Sequence, residues 1–584
     1  MRMIEVDLPV TAVPADVREP SRAGALAWAL AALLVGSVIA VDPAGLVPTG
    51  PLRFTTITVT TGIAIVLMLR QVVAIPRRMT MLWTGLVGVL LLATIGAVDP
   101  LHAWIGTPDR RFGFLTWLTL PALFLAGYAC TTRAATRVVL RAGAAGAIVL
   151  GAWSTAELLG HPPLGLEFAN ARAGGPYGQP AYLGAACLLF GPLAAAVLLD
   201  RDESRWWRRA GAVGAAGAVV ALAGSQTRAA WLGAVVATVA IALHQRGRLR
   251  RHRTAALGGL LVFAAIAFAL AATTPLGARA TSTFDLDHGT SASRFDEWRI
   301  ASRTIADHPV DGLGPEGYRV VFPQEVDAAY VRSYGVAVFP DRAHNGILDV
   351  TLDGGVLAGL LYAALLAYAL RHAWIALRTR DPVGVALGAA VLAYIVQQQL
   401  LFPLAELDPL LWVLVGMLVA RTPTRARTGT LRARWLVAPV AIATFFGAVY
   451  GAREVLADRA LERAATASDP RLARREADDA TRLRPDSIRT WYVAARIAQR
   501  GDALTDVDAA LDRVAHGLDR SPRDPALRVL YGELLVERAT RSRLSDDIAT
   551  ARRELARLTA GAPHDPRLRN ALVSALSLHE IGKP

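Results

Sequence analysis

The sequence predicts an all-α, polytopic membrane protein: a bundle of about 13 transmembrane helices followed by a soluble domain of helical repeats. Of its 584 residues, 53% are hydrophobic and only 19% are charged, whereas soluble domains carry about 25% charged residues. The mean hydropathy is +0.37. The apolar residues come in blocks of roughly 16 to 22, which suits a helix that crosses a bilayer. This pattern excludes a soluble enzyme, a disordered chain and a fibrous protein.

The predicted spans follow from this length rule. They lie near 23–41, 54–69, 80–98, 114–130, 138–156, 180–199, 210–224, 229–244, 256–273, 347–370, 382–402, 409–420 and 435–451. Together they define a transmembrane domain over 23–451, preceded by a cytoplasmic segment at 1–22. Because many spans follow the first one, we expect it to be retained and not cleaved as a signal.

Arginine distribution predicts the orientation of these spans. Alternate connections are rich in arginine, at 70–78, 133–137, 201–209, 246–253, 371–380 and 421–434. The connections at 42–53, 99–113, 157–179 and 403–408 are poor in it. Positive residues mark the cytoplasmic side, so the N-terminus is predicted to be cytoplasmic. The chain is therefore predicted to be a multi-pass protein of the cell membrane. An odd number of spans places the residues after Gly451 outside the cytoplasm.

Two external segments are too long to be simple connections. The first is a loop at about 274–346, a length at which ordered loops are usually functional. The second is the tail at 452–584. Its Asp-Pro pairs, at 469–470, 524–525 and 565–566, suit helix starts, because Asp caps the first turn and Pro fits its first position. The tail is predicted to form hairpins resembling tetratricopeptide repeats that bind a protein partner; the alternative is an unrelated helical domain.

Several functional classes lack support. The net charge is +14, and arginines that cluster in the connections supply almost all of the positive charge, so we expect no nucleic-acid binding. Cys130 and Cys187 lie in apolar blocks and are predicted to be core residues. The chain has no HExxH motif and no phosphate-binding glycine loop, so we expect neither a metal nor a cofactor. Asp296 and Glu297 look like acids of a solvated loop.

Polar residues nevertheless collect at the predicted outer ends of the helices. Arg111 lies in "HAWIGTPDRRFG", where it and Arg110 could either bind substrate or extend to the membrane interface. Arg172, in "NARAGGPYGQP", could bind substrate or tie down its loop. Arg228, in "SQTRAAWLG", is positive on the outer side and borders an apolar helix, which favours a place on a substrate path. Arg294 opens the motif "SRFDEW" of the long loop.

Histidine is the side chain that titrates near neutral pH and serves most often as a general base. His344 comes just before the tenth span, next to Asn345, and faces a loop that holds several arginines. His308 competes for this role. Its motif "HPVDGLGPEGYR" is typical of a turn, so we expect His308 to be structural.

Arginines at an external membrane surface suit a diphosphate, because the guanidinium fork binds two phosphate oxygens. Aromatic residues nearby, such as Trp298 and Tyr318, suit the flat faces of sugar rings, and Arg319 and Asn345 lie beside the candidate groups. A membrane pocket next to such a site would hold a polyprenyl chain. The combination suggests a lipid-linked glycan.

The motif order "SQTRAAWLG", "SRFDEW…HPVDGLGPEGYR" and "HNGILDVTLDGGVLAGL" resembles the O-antigen ligase and polymerase superfamily of bacterial membrane glycosyltransferases. The resemblance covers roughly residues 80–420. It implies a helical fold and a donor glycan on undecaprenyl diphosphate. It also implies that Arg228 and Arg294 bind the diphosphate, and that His344 matches the histidine of the family's long loop.

These observations predict a glycosyltransferase that moves a preassembled glycan to a lipid, protein or glycan acceptor outside the membrane. His344, Arg228 and Arg294 are the predicted catalytic residues. The predicted substrate-binding residues are Arg111, Arg172, Trp298, Tyr318, Arg319 and Asn345. Three alternatives stay open: a polymerase of lipid-linked repeat units, a transporter of the same lipid, and an assembly scaffold. Apolar spans with charges at their outer mouths favour an enzyme over a transporter.

Overall fold

A computed structural model describes residues 24–71, 73–167, 172–244, 290–336, 339–422, 428–431 and 433–578. The predicted N-terminal segment 1–22, the predicted span 256–273 and the first part of the long loop, 274–289, lie outside the described residues. The described chain is all-α, as predicted, apart from two four-residue strands.

Nine helices precede the long loop in the described chain. They are α1 (Ala25–Ile39), α2 (Pro51–Leu69), α3 (Arg77–Ile95), α4 (Pro100–Ile105), α5 (Phe114–Ala129), α6 (Arg133–Leu158), α7 (Pro180–Leu199), α8 (Arg205–Ser225) and α9 (Arg228–His244). The long loop contains α10 (Thr290–Asp307), α11 (Tyr318–Glu325) and α12 (Ala328–Tyr334). After it come α13 (Gly346–Leu377), α14 (Pro382–Gln398), α15 (Asp408–Arg421) and α16 (Val437–Thr466). Strands β1 (Val73–Pro76) and β2 (Thr428–Leu431) pair antiparallel, with Val73 opposite Leu431.

A helix covers each predicted span that falls on described residues. Six described segments are long and apolar enough to cross a membrane: α2, α3, α6, α7, α13 and the segment Arg434–Thr466, which includes α16. Four shorter helices, α1, α5, α9 and α14, are also apolar. These helices support a membrane protein, while the number of about thirteen spans and the orientation of the termini stay predictions.

Helix α15 lies at the centre of the bundle. Every residue from Asp408 to Val419 is buried, as expected for a helix that is apolar on all sides. Close packing against α5 depends on two glycines. A Cβ on Gly127 would lie 2.1 Å from the carbonyl oxygen of Val413, and a Cβ on Gly416 would lie 2.1 Å from that of Phe124. Larger residues at either position would separate the two helices.

Helix α13 is broken within the motif "LDGG". Gly355 has a φ of 73°, outside the helical range, which glycine adopts without steric cost. The break frees backbone groups that the turn of the long loop binds. The amides of Leu313 and Gly314 donate to the carbonyls of Leu352 and Asp353 at 2.8 and 2.9 Å, and Val356 donates to Pro309 at 2.8 Å. The long loop is therefore hydrogen-bonded to the backbone of this apolar helix at its break.

The tail begins within a helix. Helix α16 continues through Gly451, so the predicted boundary between 451 and 452 lies inside one helix. The tail helices are α17 (Pro470–Leu483), α18 (Ile488–Gln499), α19 (Leu504–Arg520), α20 (Pro525–Ser542), α21 (Ser545–Ala560) and α22 (Pro566–Ser577). Asp469, Asp524 and Asp565 cap α17, α20 and α22, each followed by Pro, as predicted. The likeness to tetratricopeptide repeats stays a prediction.

Successive helices alternate between two ends of the bundle. We call one end the site face; it is formed by segments 40–50, 96–113, 172–179, 226–227, 308–336, 339–345 and 399–407. The other, the arginine-rich face, is formed by segments 70–71, 73–76, 130–132, 200–204, 378–381, 428–431 and 433–436. The tail contacts the site face. Arg489 pairs with Asp109, and Arg459 pairs with Asp42 at 2.8 Å.

Candidate active site

The centre of the site face is a hydrogen-bonded pair between the long loop's histidine and a carboxylate. Nδ1 of His344 lies 3.0 Å from Oε2 of Glu297 on α10. His344 is partly exposed, whereas Glu297 is 9% exposed. The buried carboxylate corrects the prediction of a solvated loop acid. Because a carboxylate accepts hydrogen bonds only, it orients the ring with Nδ1 protonated and leaves Nε2 free to accept a proton.

Backbone geometry holds His344 in place. Its φ is 53°, a left-handed conformation in which histidine is found more often than most residues. Asn345 follows as the N-cap of α13, and its Oδ1 accepts from the amides of Ile347 and Leu348 at 3.0 Å. Its Nδ2 donates to the carbonyl of Gln399 at 3.0 Å. Asn345, a predicted substrate ligand, therefore positions the histidine at the start of α13.

Arg110 joins three segments beside the histidine. Its guanidinium donates to both carboxylate oxygens of Asp341, at 2.5 and 2.9 Å, and to the hydroxyl of Tyr182 on α7 at 2.5 Å. It also lies over Phe402, 4.8 Å from the ring centroid, and Phe402 packs against His344. Burial raises the pKa of Asp341, but Arg110 outweighs burial and lowers this pKa to about 2. Arg110 thus binds a carboxylate and does not extend to the membrane interface.

A second buried cation supports the same loops. Arg342 is 4% exposed, and its guanidinium lies 2.8 Å from Oε1 of Glu316 and 3.6 Å from Oδ2 of Asp349. Burial lowers the pKa of Arg342, but the nearby carboxylates raise it by more, so the pKa lies above its ordinary value. Glu316 also accepts from the amide of Phe112 at 3.0 Å and from the hydroxyl of Thr107 at 3.1 Å. Arg342 and Glu316 therefore fix segment 107–112 against the long loop.

Arg172 binds the turn between α8 and α9, which Arg228 directly follows. Arg228 is the first residue of α9. The guanidinium of Arg172 donates to the carbonyl of Ser225 at 2.9 Å and to the hydroxyl of Thr227 at 3.1 Å. Thr227 in turn donates to the carbonyl of Pro180 at 2.9 Å. Arg172 therefore holds its loop against the turn that precedes Arg228. Of the two roles predicted for Arg172, these contacts support the one in which it ties down its loop.

Arg294 and Trp298 lie on α10 with Glu297. Burial lowers the pKa of Arg294, and the nearby Glu297 opposes this effect. Arg294 and Glu297 are three residues apart, a spacing that places two side chains on one helix face. The indole of Trp298 packs edge-on against Phe295, with ring centroids 5.5 Å apart. Two of the three predicted catalytic residues, Arg294 and His344, are thus brought to Glu297.

The other predicted ligands have structural contacts. Arg111 pairs with Glu454 of α16. Tyr318 is buried in the apolar core of the long loop and packs against Phe322 at 5.4 Å. Arg319 pairs with Asp99 and with Asp524 of the tail. Arg111 and Arg319 therefore connect the site face to the tail.

Several residues of the site escaped sequence reasoning. They are Glu297, Tyr182, Asp341, Arg342, Glu316 and Phe402. The only local signal was the three-residue spacing of Arg294 and Glu297 in "SRFDEW". In the described part of the chain, no group of three or more His, Cys, Asp or Glu side chains could hold a metal ion.

Comparison with known proteins bears on the segment that contains these groups. No curated protein matches the chain. Residues 213–363 match the family model described as O-Antigen ligase. The matched segment runs from α8 into α13 and includes Arg228, Arg294 and His344. The match confirms the resemblance drawn from the sequence motifs: residues 213–363 are similar to the O-antigen ligase and polymerase superfamily.

Proposed function

We propose that the protein is an O-antigen-ligase-like glycosyltransferase of the cell membrane. It moves a preassembled glycan from undecaprenyl diphosphate to a lipid, protein or glycan acceptor outside the cytoplasm. The observation that carries this proposal is the His344–Glu297 pair, 3.0 Å apart, on a face bordered by Arg294 and Arg228. A base oriented by a carboxylate, next to cations, is the arrangement that a hydroxyl nucleophile and an anionic leaving group require.

The chemistry follows from these roles. Glu297 keeps the proton of His344 on Nδ1, so Nε2 takes the proton of an acceptor hydroxyl. The hydroxyl oxygen forms a bond to the anomeric carbon of the donor sugar as the bond to the diphosphate oxygen breaks. Arg228 and Arg294 neutralise the departing diphosphate. One preorganised donor at a developing anion contributes about 3 kcal/mol to the barrier reduction, so the arginines supply the charge without a metal.

The corresponding test compares two histidines of the long loop. His344→Ala should lower turnover by about a hundredfold to ten-thousandfold, with donor binding nearly unchanged, because the base acts only as the hydroxyl attacks. The control is His308→Ala, since His308 is 40% exposed beside Asp311 and should behave as wild type. Both would be measured with purified protein in bilayer discs and a lipid-linked donor. Unaltered turnover of His344→Ala would remove the histidine from the mechanism, and loss of wild-type activity in excess chelator would overturn the metal-free step.

A polymerase of lipid-linked repeat units is the second candidate, because it needs the same base and the same leaving group. Mass analysis of glycans in a deletion strain separates the two. Loss of a ligase leaves full-length glycan on the polyprenyl lipid. Loss of a polymerase leaves single repeat units.

The proposed orientation places the site face and the tail outside. The pairing of Arg489 with Asp109 and of Arg111 with Glu454 supports a common side for segment 99–113 and the tail, where the tail would also meet a protein partner. An alkaline phosphatase fused after residue 584 is expected to be active, and one fused within 200–204 to be inactive. The reverse pattern would place the His344 site in the cytoplasm and contradict the proposal.

A further inference from the structure

A cavity of about 1360 Å³ opens on the arginine-rich face. Its walls are apolar surfaces of α6, α7, α8, α9 and α14, and its mouth lies at segments 131–137, 199–202 and 380–383. On α7 the lining runs from Cys187 to Leu199, which is about 18 Å at the rise of an α-helix. Half of a hydrocarbon core of about 30 Å is about 15 Å. The cavity therefore has the depth of one leaflet.

The mouth carries an excess of positive charge. Five arginines and three aspartates line it: Arg133, Arg137, Arg201, Arg380, Arg421, Asp200, Asp202 and Asp381. Some are mutually paired, such as Arg421 with Asp381 at 3.2 Å and Arg137 with Asp200 at 3.4 Å. Nη2 of Arg137 is buried and has no hydrogen-bond partner among the described residues. A buried guanidinium donor without an acceptor is costly, and an anion at the mouth would satisfy it.

The cavity is separate from the proposed active site. On α9 its lining begins at Ala234 and ends at Ile241, whereas Arg228 begins the helix at the other end. Arg228 and Ile241 are about 20 Å apart along the helix axis at the rise of an α-helix. A phosphate bound at the mouth would therefore lie on the opposite face from His344.

We infer that this cavity binds an anionic phospholipid, with its phosphate at Arg137 and its acyl chain between α7, α9 and α14. Apolar walls one leaflet deep suit the chain, and the positive mouth suits the phosphate. The bound lipid fills the space between α9 and its neighbours, and so fixes the helix that presents Arg228. This inference is independent of glycan transfer, because it concerns lipid retention alone.

The test measures phospholipid bound to the purified full-length protein by native mass spectrometry. Wild type should retain phosphatidylglycerol in preference to the zwitterionic phosphatidylcholine. Arg137→Gln should lower phosphatidylglycerol affinity about tenfold or more, the scale of a lost charged hydrogen bond, and leave phosphatidylcholine unchanged. Ala234→Phe, which fills the cavity from α9, should displace the lipid.

Two matched variants control for folding and for non-specific charge. Arg209→Gln removes an exposed arginine of α8, and Ala216→Phe adds volume at an exposed position of α8; neither residue lines the cavity. Both should retain lipid as wild type does. Equal retention of the two lipids by wild type, or an equal loss in Arg137→Gln and Arg209→Gln, would overturn the inference. A further test introduces Thr238→Cys together with a cysteine in the predicted span 256–273. If a disulfide forms between the two and no lipid is retained, the span and not a lipid occupies the cavity, which would also overturn the inference.

Discussion

The two faces of the bundle both carry arginines, but they use them differently. On the site face, Arg319 and Arg342 are 11% and 4% exposed, and each binds two carboxylates from separate segments. On the arginine-rich face, Arg133 is 53% exposed and pairs with Asp202, which is 60% exposed. Arg319 and Arg342 are thus part of the packing, whereas Arg133 lies in solvent. Charge counts alone treat them as equal, so burial and partners decide what an arginine does.

The largest expected effect compares Arg319 with Arg133. Arg319→Gln leaves Asp99 and Asp524 buried without their cation, and breaking a buried pair from one side costs about 3 to 5 kcal/mol. Arg133→Gln removes an exposed pair, whose contribution is about 0 to 1 kcal/mol. Thermal unfolding in detergent would measure both. A small loss for Arg319→Gln would show that the tail is docked by other contacts.

A smaller effect is expected at Glu297, which in the proposed mechanism orients the base without reacting. Glu297→Gln should lower turnover by about a hundredfold, the scale of a misplaced catalytic group. The control is Asp296→Asn on the same helix, because Asp296 contacts Arg299 and Tyr334 and not His344. Turnover would be measured with saturating donor. Equal losses in the two variants would assign Glu297 to the folding of α10.

The smallest effect concerns acid stability. Arg110 lowers the folded-state pKa of Asp341 to about 2, below the ordinary value near 4. The pair therefore stabilises the fold fully above about pH 4 and loses this contribution as the pH falls towards 2. Unfolding of wild type and Asp341→Asn would be compared between pH 6 and pH 3. The stability difference should shrink at the acid end; a constant difference would mean that Asp341 does not titrate with the fold.

Features that depend on residues close together in the sequence could be predicted. The caps at Asp469, Asp524 and Asp565, the start of α13 beside His344, and the turn after His308 all follow from local chemistry. The partners across the site could not be predicted in this way. Arg110 meets Asp341 across 231 residues, and Arg319 meets Asp524 across 205. Such contacts depend on how helices pack, which leaves no periodic signal in the chain.

Helix α16 fixes the position of the tail relative to the helix bundle. It runs for 30 residues from the arginine-rich face into the tail, a length of about 45 Å. Because it is continuous, the tail has no hinge at this junction and behaves as a rigid extension of a membrane helix. A partner bound to the tail, as proposed above, would therefore be held at a fixed height and angle relative to the bilayer. The length of the helix would then set the distance between that partner and His344.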